Sequence, residues 1–325
     1  MNETVEAAAR LLGPVARHDV PIGPLTTYRV GGSAALLVTA NREDDLSGAA
    51  EAVATTGVDV LVVGKGSNLL VADGGFPGLV IVLGDTFASI AVDGAAVVAG
   101  GSSHLPVVAR RTAAAGLTGF EWAVGVPGSV GGAVRMNAGG HGSDMAATLV
   151  RVRVHDLAER QDGWVPADQL DLGYRQSNIA PHQVVTAVEL ALEEGDRSAA
   201  EAEIAEIVRW RRDNQPGGQN AGSVFTNPPG DAAGRLIDVA GCRGLRLGTA
   251  HVSEKHANFM IAEHGGRADD VWALMAEVRR RVLDATGIGL EPETRLIGFE
   301  PPTRRTRDGS DTDLCTNRRE FGESS

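Results

Sequence analysis

Two glycine-rich turns constrain this chain more than any other feature of its sequence. The first turn, residues 64–70 (Gly-Lys-Gly-Ser-Asn-Leu-Leu), follows an apolar run, and the second, residues 126–132, reads Val-Pro-Gly-Ser-Val-Gly-Gly. Because glycine has no Cβ, each turn can bring several backbone N–H groups close to a ligand, which is how a chain holds a diphosphate. The pattern therefore predicts a diphosphate-bearing ligand held by two separate turns.

The first turn matches neither common nucleotide-binding motif. The dinucleotide motif Gly-x-Gly-x-x-Gly would need glycine at position 69, where this chain has Leu69. A phosphate-binding loop would need serine or threonine directly after its lysine, but Gly66 follows Lys65. The absence of both motifs favours a diphosphate-bearing cofactor that is held neither by a Rossmann unit nor by a phosphate-binding loop. A phosphate-transferring enzyme that uses residues 64–67 remains an alternative, and magnesium-dependent ATP turnover would support it.

Composition narrows the class of protein further. A chain of 325 residues can bury a core divided over two or three domains. The formal net charge of -12 argues against a nucleic-acid partner, because phosphate neutralisation needs clustered Lys and Arg. The first residues are acidic where a signal peptide is basic, and no apolar run reaches the roughly 20 residues of a membrane span. We therefore expect a cytoplasmic protein with no membrane partner. The oligomeric state is not predicted.

The cysteine and histidine pattern gives no metal site. Cys242 and Cys315 form no spaced framework, and His251 and His256 lack zinc-ligand spacing relative to Cys242. Together with Lys255, these two histidines form a polar cluster that is better suited to contact a polar ligand. We therefore expect no bound metal.

The apolar periodicity predicts mixed helices and strands. Strands are expected at residues 34–38, 58–63, 79–83, 150–155 and 184–190, with a hairpin around residues 93–94. Helices are expected from a cap at Asn41 to residue 56, over residues 105–115, after residue 196, and over residues 268–286. Residues 116–142 are predicted to be loop-like. The Arg-rich residues 301–325 contain few apolar residues and are predicted to be disordered.

One serine and one arginine lie in unusual surroundings. Ser223 follows a glycine but lacks the Gly-x-Ser-x-Gly surround of a hydrolase, because position 225 is phenylalanine. Its hydroxyl is either structural or a proton donor to a strongly basic acceptor such as a carbanion. Arg175, next to Tyr174, could form an exposed ion pair or act as a fork for a carboxylate or phosphate.

Two glutamates and one histidine also leave alternatives open. Glu291 and Glu293 flank a proline, and one of them could pair with Arg295, whereas a buried one could polarise a ligand's carboxylate or stabilise an enol. His104, at the end of residues 100–104 (Gly-Gly-Ser-Ser-His), could begin a helix or anchor a cofactor covalently.

Seven motifs occur in the same order as in a known family. They are residues 26–32 (TTYRVGG), 64–70 (GKGSNLL), 127–133 (PGSVGGA), 136–140 (MNAGG), 174–177 (YRQS), 222–228 (GSVFTNP) and 291–293 (EPE). Through them, residues 20–299 resemble UDP-N-acetylenolpyruvoylglucosamine reductase, a family of flavoenzymes that make UDP-N-acetylmuramate for peptidoglycan.

The resemblance implies an α+β fold. Its FAD-binding domain is of the vanillyl-alcohol-oxidase (PCMH) type and consists of two α/β subdomains, here residues 1–83 and 84–207. A smaller α+β substrate domain, residues 208–300, follows, and residues 301–325 form the tail. The FAD-binding residues implied by the motifs are Gly64, Lys65, Gly66, Ser67, Asn68, Leu69, Pro127, Gly128, Ser129 and Gly132.

The resemblance also implies a reaction. NADPH would reduce a non-covalently bound FAD, which would then pass hydride to the enolpyruvyl ether of a UDP-sugar. Arg175 matches the family's charge-stabilising arginine, Glu293 matches its catalytic glutamate, and Ser223 matches its proton donor. Tyr174, Asn227 and His256 would contact the substrate, and Arg211 or Arg212 would hold its diphosphate. This chain has His141 where many members have tyrosine, and it lacks the insertion that follows Tyr174-Arg175 in the longer type.

Overall fold

The structure, a computed structural model, describes residues 2–299 and the backbone of two short strands, Thr303–Arg305 and Asp311–Asp313, which pair antiparallel. The predicted disordered tail otherwise lies outside the described residues. Within residues 2–299, no helix combines the length and the apolar character that a membrane crossing requires.

The first part of the chain forms a four-stranded sheet covered by two helices. Its elements are α1 (Glu3–Leu12), β1 (Arg17–Pro21), β2 (Ser33–Ala40), α2 (Glu43–Thr56), β3 (Val60–Val62), β4 (Leu69–Val71) and β5 (Phe76–Leu83). The sheet order is β1-β2-β5-β3, with β1 antiparallel to β2 and the other pairs parallel. Buried residues of both helices, such as Val5 and Leu46, share a core with Leu36 and Ile81 of the sheet.

Helix α2 differs from its prediction at its first turn. The carboxylate of Asp45 accepts hydrogen bonds from the backbone N–H groups of both Asn41 and Arg42, at 2.8 and 3.0 Å. Arg42 is therefore the N-cap residue, and the predicted cap at Asn41 is wrong by one position. Gly57 ends the helix in the left-handed conformation (φ 67°), as predicted.

The second part is built on a five-stranded antiparallel sheet. Its elements are β6 (Ile90–Asp93), β7 (Ala96–Gly100), α3 (Leu105–Ala114), β8 (Leu117–Thr118), α4 (Val130–Arg135), β9 (Gly139–Gly140), β10 (Ser143–Asp144), β11 (Leu149–Asp156), β12 (Gln161–Pro166), β13 (Gln183–Ala191), β14 (Glu193–Glu194) and α5 (Arg197–Asn214). The order is β12-β11-β13-β7-β6. Buried residues of α3, α4 and α5 form one core with the sheet. Residues 116–142, predicted to be loop-like, contain α4 and two short strands.

The third part combines two helices with a small sheet. Its elements are α6 (Ala233–Val239), β15 (Arg246–Leu247), β16 (Ala250–Val252), β17 (Met260–Ala262), α7 (Ala268–Thr286) and β18 (Arg295–Ile297). Helix α7 has the predicted bounds, and Val271, Met275, Val278 and Val282 are fully buried. The predicted domain boundary at residues 207–208 falls inside α5, which runs without interruption to Asn214.

Strand β18 connects the third part of the chain to the first. It pairs in parallel with β4, the strand that directly follows the first glycine turn. Tyr28 and Leu70 of the first part are also fully buried in the core of the third part. The end of the third part is therefore fixed beside the first glycine turn.

Candidate active site

A cavity of about 960 Å³ lies where the three parts of the chain meet. Both glycine turns, the Tyr174-Arg175 segment and the segments around Ser223 and Glu293 line this cavity. All of the residues predicted to bind the cofactor are among its lining residues: Gly64, Lys65, Gly66, Ser67, Asn68, Leu69, Pro127, Gly128, Ser129 and Gly132. The structure thus brings together segments that are far apart in the sequence.

The two glycine turns face each other at close range. A Cβ at Gly64 would lie 2.3 Å from the Ser129 hydroxyl oxygen, and one at Gly128 would lie 3.4 Å from the Ser67 hydroxyl oxygen. Gly66 adopts a left-handed backbone (φ 58°), and a Cβ there would lie 2.3 Å from the carbonyl oxygen of Leu25. A side chain at position 64 would therefore displace the Ser129 hydroxyl group, and one at position 66 would clash with the backbone of Leu25 and Thr26.

The first turn offers free hydrogen-bond donors. Within residues 2–299, the backbone N–H groups of residues 64–68 donate to no protein acceptor, and the Lys65 ammonium group makes no ion pair. Consecutive free N–H groups in a glycine-rich turn form a concave site for an anion. The residues present therefore fit the diphosphate of a dinucleotide cofactor such as FAD.

A tight turn presents Tyr174 and Arg175 to the cavity. Gly173 and Gln176 exchange two backbone hydrogen bonds, at 3.0 and 3.1 Å, so Tyr174 and Arg175 form the tip of a two-residue turn. Arg175 has a left-handed backbone (φ 57°), which costs a non-glycine residue about 1–2 kcal/mol. Such strain is most often found at functional positions, where the surrounding structure compensates for it.

Arg175 and Glu293 form an ion pair inside the cavity. The Arg175 Nε donates to Glu293 Oε1 at 2.7 Å, and its second terminal nitrogen donates to the carbonyl of Gly139 at 3.1 Å. The two side chains are only 24% and 16% exposed. Burial raises the pKa of Glu293, and the positive charge and hydrogen bond of Arg175 act in the opposite direction.

Ser223 and Glu293 lie on two paired segments. The backbone N–H of Glu293 donates to the carbonyl of Val224 at 2.8 Å, and the N–H of Thr226 donates to the carbonyl of Glu291 at 3.0 Å. Ser223 precedes this short ladder and follows Gly222, which has φ 77°. Within residues 2–299, the Ser223 hydroxyl has no protein partner, so it is available to a ligand in the cavity.

The side chain of Asn68 connects the first glycine turn to Glu293. The side-chain Nδ2 donates to the Glu293 carbonyl at 3.1 Å, and the backbone carbonyl of Asn68 accepts from the N–H of Arg295 at 2.9 Å. Asn68 was predicted to bind the cofactor. In the structure its Nδ2 and its backbone carbonyl contact the protein, and its backbone N–H remains available for a ligand.

Of the three residues predicted to contact the substrate, two line the cavity and one does not. Tyr174 lines the cavity and is 64% exposed. Asn227 also lines it, but its Oδ1 accepts from the N–H of Ala233 at 3.0 Å, where α6 begins. His256 is not among the lining residues. Its Nδ1 accepts from the N–H of Asn258, and Asn258 does line the cavity. The geometry therefore gives His256 a supporting position behind the wall.

His104, His141 and the cluster of Glu43, His155 and Asp162 lie outside the cavity wall. His104 is exposed at the start of α3, which fits the prediction of a helix-start residue. His141 sits at the β9–β10 turn and packs edge-on against Trp210, with ring centroids 5.2 Å apart. Among the described residues, Glu43, His155 and Asp162 are close enough together to hold a metal ion, but Arg153 donates hydrogen bonds to both carboxylates.

The sequence interpretation missed Asn258, a buried amide on the cavity wall. It left the choice between Arg211 and Arg212 open, and the structure places only Arg211 among the residues lining the main cavity. The clustering of polar residues around position 255 pointed to this region, but it gave no indication of which side chain turns inward.

The fold and the site define an FAD-dependent oxidoreductase. Residues 34–159 match the family described as FAD binding domain, which confirms the predicted fold class. Residues 214–297 match the family described as UDP-N-acetylenolpyruvoylglucosamine reductase, C-terminal domain.

Whole-chain relatives are consistent with these two matches. The chain is 44% identical to UDP-N-acetylenolpyruvoylglucosamine reductase of Paramagnetospirillum magneticum over 282 residues, covering 86% of this chain and 91% of the relative. It is 43% identical to the enzyme of the same name from Heliobacterium modesticaldum, covering 88% and 89% of the two chains. The crystal structure of the Thermus caldophilus reductase superposes with a TM-score of 0.76 at 38% identity, covering 87% of this chain and 99% of that one. The chain belongs to the UDP-N-acetylenolpyruvoylglucosamine reductase family.

Proposed function

We propose that this protein reduces the enolpyruvyl ether of UDP-N-acetylglucosamine to UDP-N-acetylmuramate, in the synthesis of peptidoglycan precursors. FAD would be bound without a covalent link, and NADPH would be the hydride donor. One observation carries the proposal: Arg175, Glu293 and Ser223 line the same cavity as the two glycine turns. The position of His104 outside the cavity wall argues against a covalent flavin link through this histidine.

The reaction requires a proton donor and charge stabilisation at defined places. When bound, FAD supplies a hydride that it has received from NADPH. As hydride adds to the terminal methylene carbon of the substrate, the electron pair of the double bond moves onto the neighbouring carbon and its carboxylate. Arg175, held in place by Glu293 and the Gly139 carbonyl, would face that carboxylate and stabilise the added charge. The free hydroxyl of Ser223 would give the proton to the carbon.

Glu293 would assist in its protonated form. Because burial raises its pKa, its carboxyl group stays protonated to higher pH than that of an exposed glutamate. A protonated carboxyl group can donate a hydrogen bond to the developing enolate oxygen, whereas a carboxylate would repel it.

Arg211 is the better candidate for the diphosphate of the substrate. It lines the main cavity, has no carboxylate partner within residues 2–299, and its Nε donates to Gln215 Oε1 at 2.8 Å. Its terminal nitrogens can therefore form a fork for a phosphate group. Arg212 instead pairs with Asp213 at 3.3 Å and lines only a neighbouring pocket of about 330 Å³.

We expect that Glu293→Gln lowers the rate of the substrate-dependent step about 100-fold and changes substrate affinity little, since the loss is in the transition state. In the wild type, the rate should fall as pH rises through the pKa of Glu293, and this dependence should disappear in the variant. Rapid-mixing measurements across pH test both points. Glu291→Gln, at a 74% exposed side chain, is the matched control. An unchanged maximal rate would remove Glu293 from the mechanism.

Flavin absorbance tests the proposed reaction directly. NADPH should bleach the FAD-loaded protein in the absence of oxygen, and addition of the enolpyruvyl substrate should restore the colour. UDP-N-acetylglucosamine, which lacks the enolpyruvyl group, should not. Bleaching without a substrate-dependent return of colour would refute the assignment. Acid precipitation should leave the flavin in the supernatant, and flavin in the pellet would contradict non-covalent binding.

A further inference from the structure

Asn258 holds the segment that carries Ser223 by an unusually complete set of contacts. Its Oδ1 accepts from the N–H of Phe225 at 3.0 Å, and its Nδ2 donates to the Phe225 carbonyl at 2.8 Å. Its own carbonyl accepts from the N–H of Val224 at 2.9 Å. Asn258 is 3% exposed and lies on the cavity wall. One residue thus satisfies three backbone groups of the two residues that follow Ser223.

The same two residues also pair with the segment that carries Glu293. The Val224 carbonyl accepts from Glu293, and Phe225 forms an antiparallel bridge with Pro292. The segment around Ser223 is therefore held from one side by Asn258 and from the other by the backbone of Glu293. A shift of this segment would move the Ser223 hydroxyl relative to Glu293 and Arg175, and a displacement of about 1 Å is enough to slow a reaction about 100-fold.

We propose that Asn258 is a positioning residue for the proton transfer, fixing the Ser223 hydroxyl relative to Glu293 through the backbone of Val224 and Phe225. The inference rests on the proposed function and concerns only its second half, the substrate-dependent step. Because Asn258 acts through Val224 and Phe225, we expect no effect of Asn258 on the reduction of the flavin by NADPH.

The Asn258 amide both accepts from and donates to the backbone of Phe225. Aspartic acid, the replacement closest in shape, can do both only when it is protonated. In Asn258→Asp, one oxygen can still accept from the Phe225 N–H, but an ionised second oxygen would face the Phe225 carbonyl and repel it. A protonated carboxyl group would donate to that carbonyl and restore the native pattern. Burial raises the pKa of such a carboxyl group above that of an exposed aspartate, so the defect should lessen as the pH falls.

The test compares both half-reactions of Asn258→Asp with the wild type at each pH. The NADPH bleaching rate should equal the wild-type rate throughout. The return of colour with the enolpyruvyl substrate should be at least about 10-fold slower than wild type at pH 8 and approach it at pH 6. The ratio of the variant rate to the wild-type rate at each pH cancels the effect of the titration of neighbouring His256 and Glu293, which both proteins share. Asn41→Asp, at an exposed asparagine that is not among the residues lining the cavity, is the control and should keep a ratio of one.

Asn258→Ala provides the second variant, because it removes both hydrogen bonds and cannot regain them. It should show the slow return of colour at every pH, with normal NADPH bleaching. The proposal is overturned if Asn258→Asp regains colour at the wild-type rate at pH 8, or if its defect does not depend on pH. It is also overturned if both variants fail to retain flavin, since Asn258 would then serve folding alone. Failure of the wild type to regain colour would instead refute the proposed function.

Discussion

The Ser223→Ala protein should be bleached by NADPH at the wild-type rate, and the substrate should restore its colour about 10²- to 10⁴-fold more slowly. The reason is that the hydroxyl has no structural bond within residues 2–299, so its removal takes away only a proton donor. The backbone contacts of Val224 and Phe225 remain, and the cavity keeps its shape. Rapid-mixing absorbance of the two half-reactions measures both rates on one preparation.

The control for this experiment is Ser47→Ala. Ser47 lies on the exposed side of α2, and its hydroxyl donates only to the Glu43 carbonyl, at 3.1 Å. This variant should match the wild type in both half-reactions. If Ser223→Ala slowed bleaching as much as the return of colour, Ser223 would have a structural role and another group would supply the proton.

The second large effect is expected at the contact between the glycine turns. Gly64→Ala should weaken FAD binding about 5-fold, because its Cβ would lie 2.3 Å from the Ser129 hydroxyl oxygen, and turning that hydroxyl away breaks its bond to the Gly132 N–H at a cost of about 1 kcal/mol. The start of α4, which lines the cavity, would then lose this backbone contact. Fluorescence titration of the apoprotein with FAD measures the change.

A compensating change makes this prediction specific. Ser129→Ala removes the clashing oxygen together with its bond to the Gly132 N–H, so Gly64→Ala should lower the FAD affinity less in the Ser129→Ala background than in the wild type. Gly48→Ala, at a helical glycine with open space around it, should bind FAD normally. Equal affinity of Gly64→Ala and the wild type would show that the two turns do not hold one ligand together.

Local patterns in the sequence predicted local structure well. Helix α7 was predicted with its observed bounds because its apolar residues recur at helical spacing and Gly287 ends it in a left-handed conformation. The two glycine turns were identified because the absence of side chains at positions such as 64 and 66 is directly visible. The start of α2 was misplaced because an Asp45 carboxylate reaches back to cap the helix, and several arrangements of polar residues can do this.

The site itself depended on contacts that no local pattern reveals. Arg175 and Glu293 were each singled out, but their ion pair spans 118 residues and could not be inferred from either neighbourhood. The pairing of β18 with β4 was missed for the same reason, and so was the contact between Asn68 and Glu293. Motif resemblance connected these residues to one function, and the fold then supplied their geometry.

The distance along the chain between Asn68 and Glu293 also has a consequence for biosynthesis. At the usual pace of translation, roughly 5–20 residues per second, the 225 residues between these two partners take roughly 11–45 seconds to make. For that interval the nascent first turn exists without the strand that later borders it. The ribosome must therefore synthesise the chain through Glu293 before the vitamin-derived coenzyme can enter a fully assembled site.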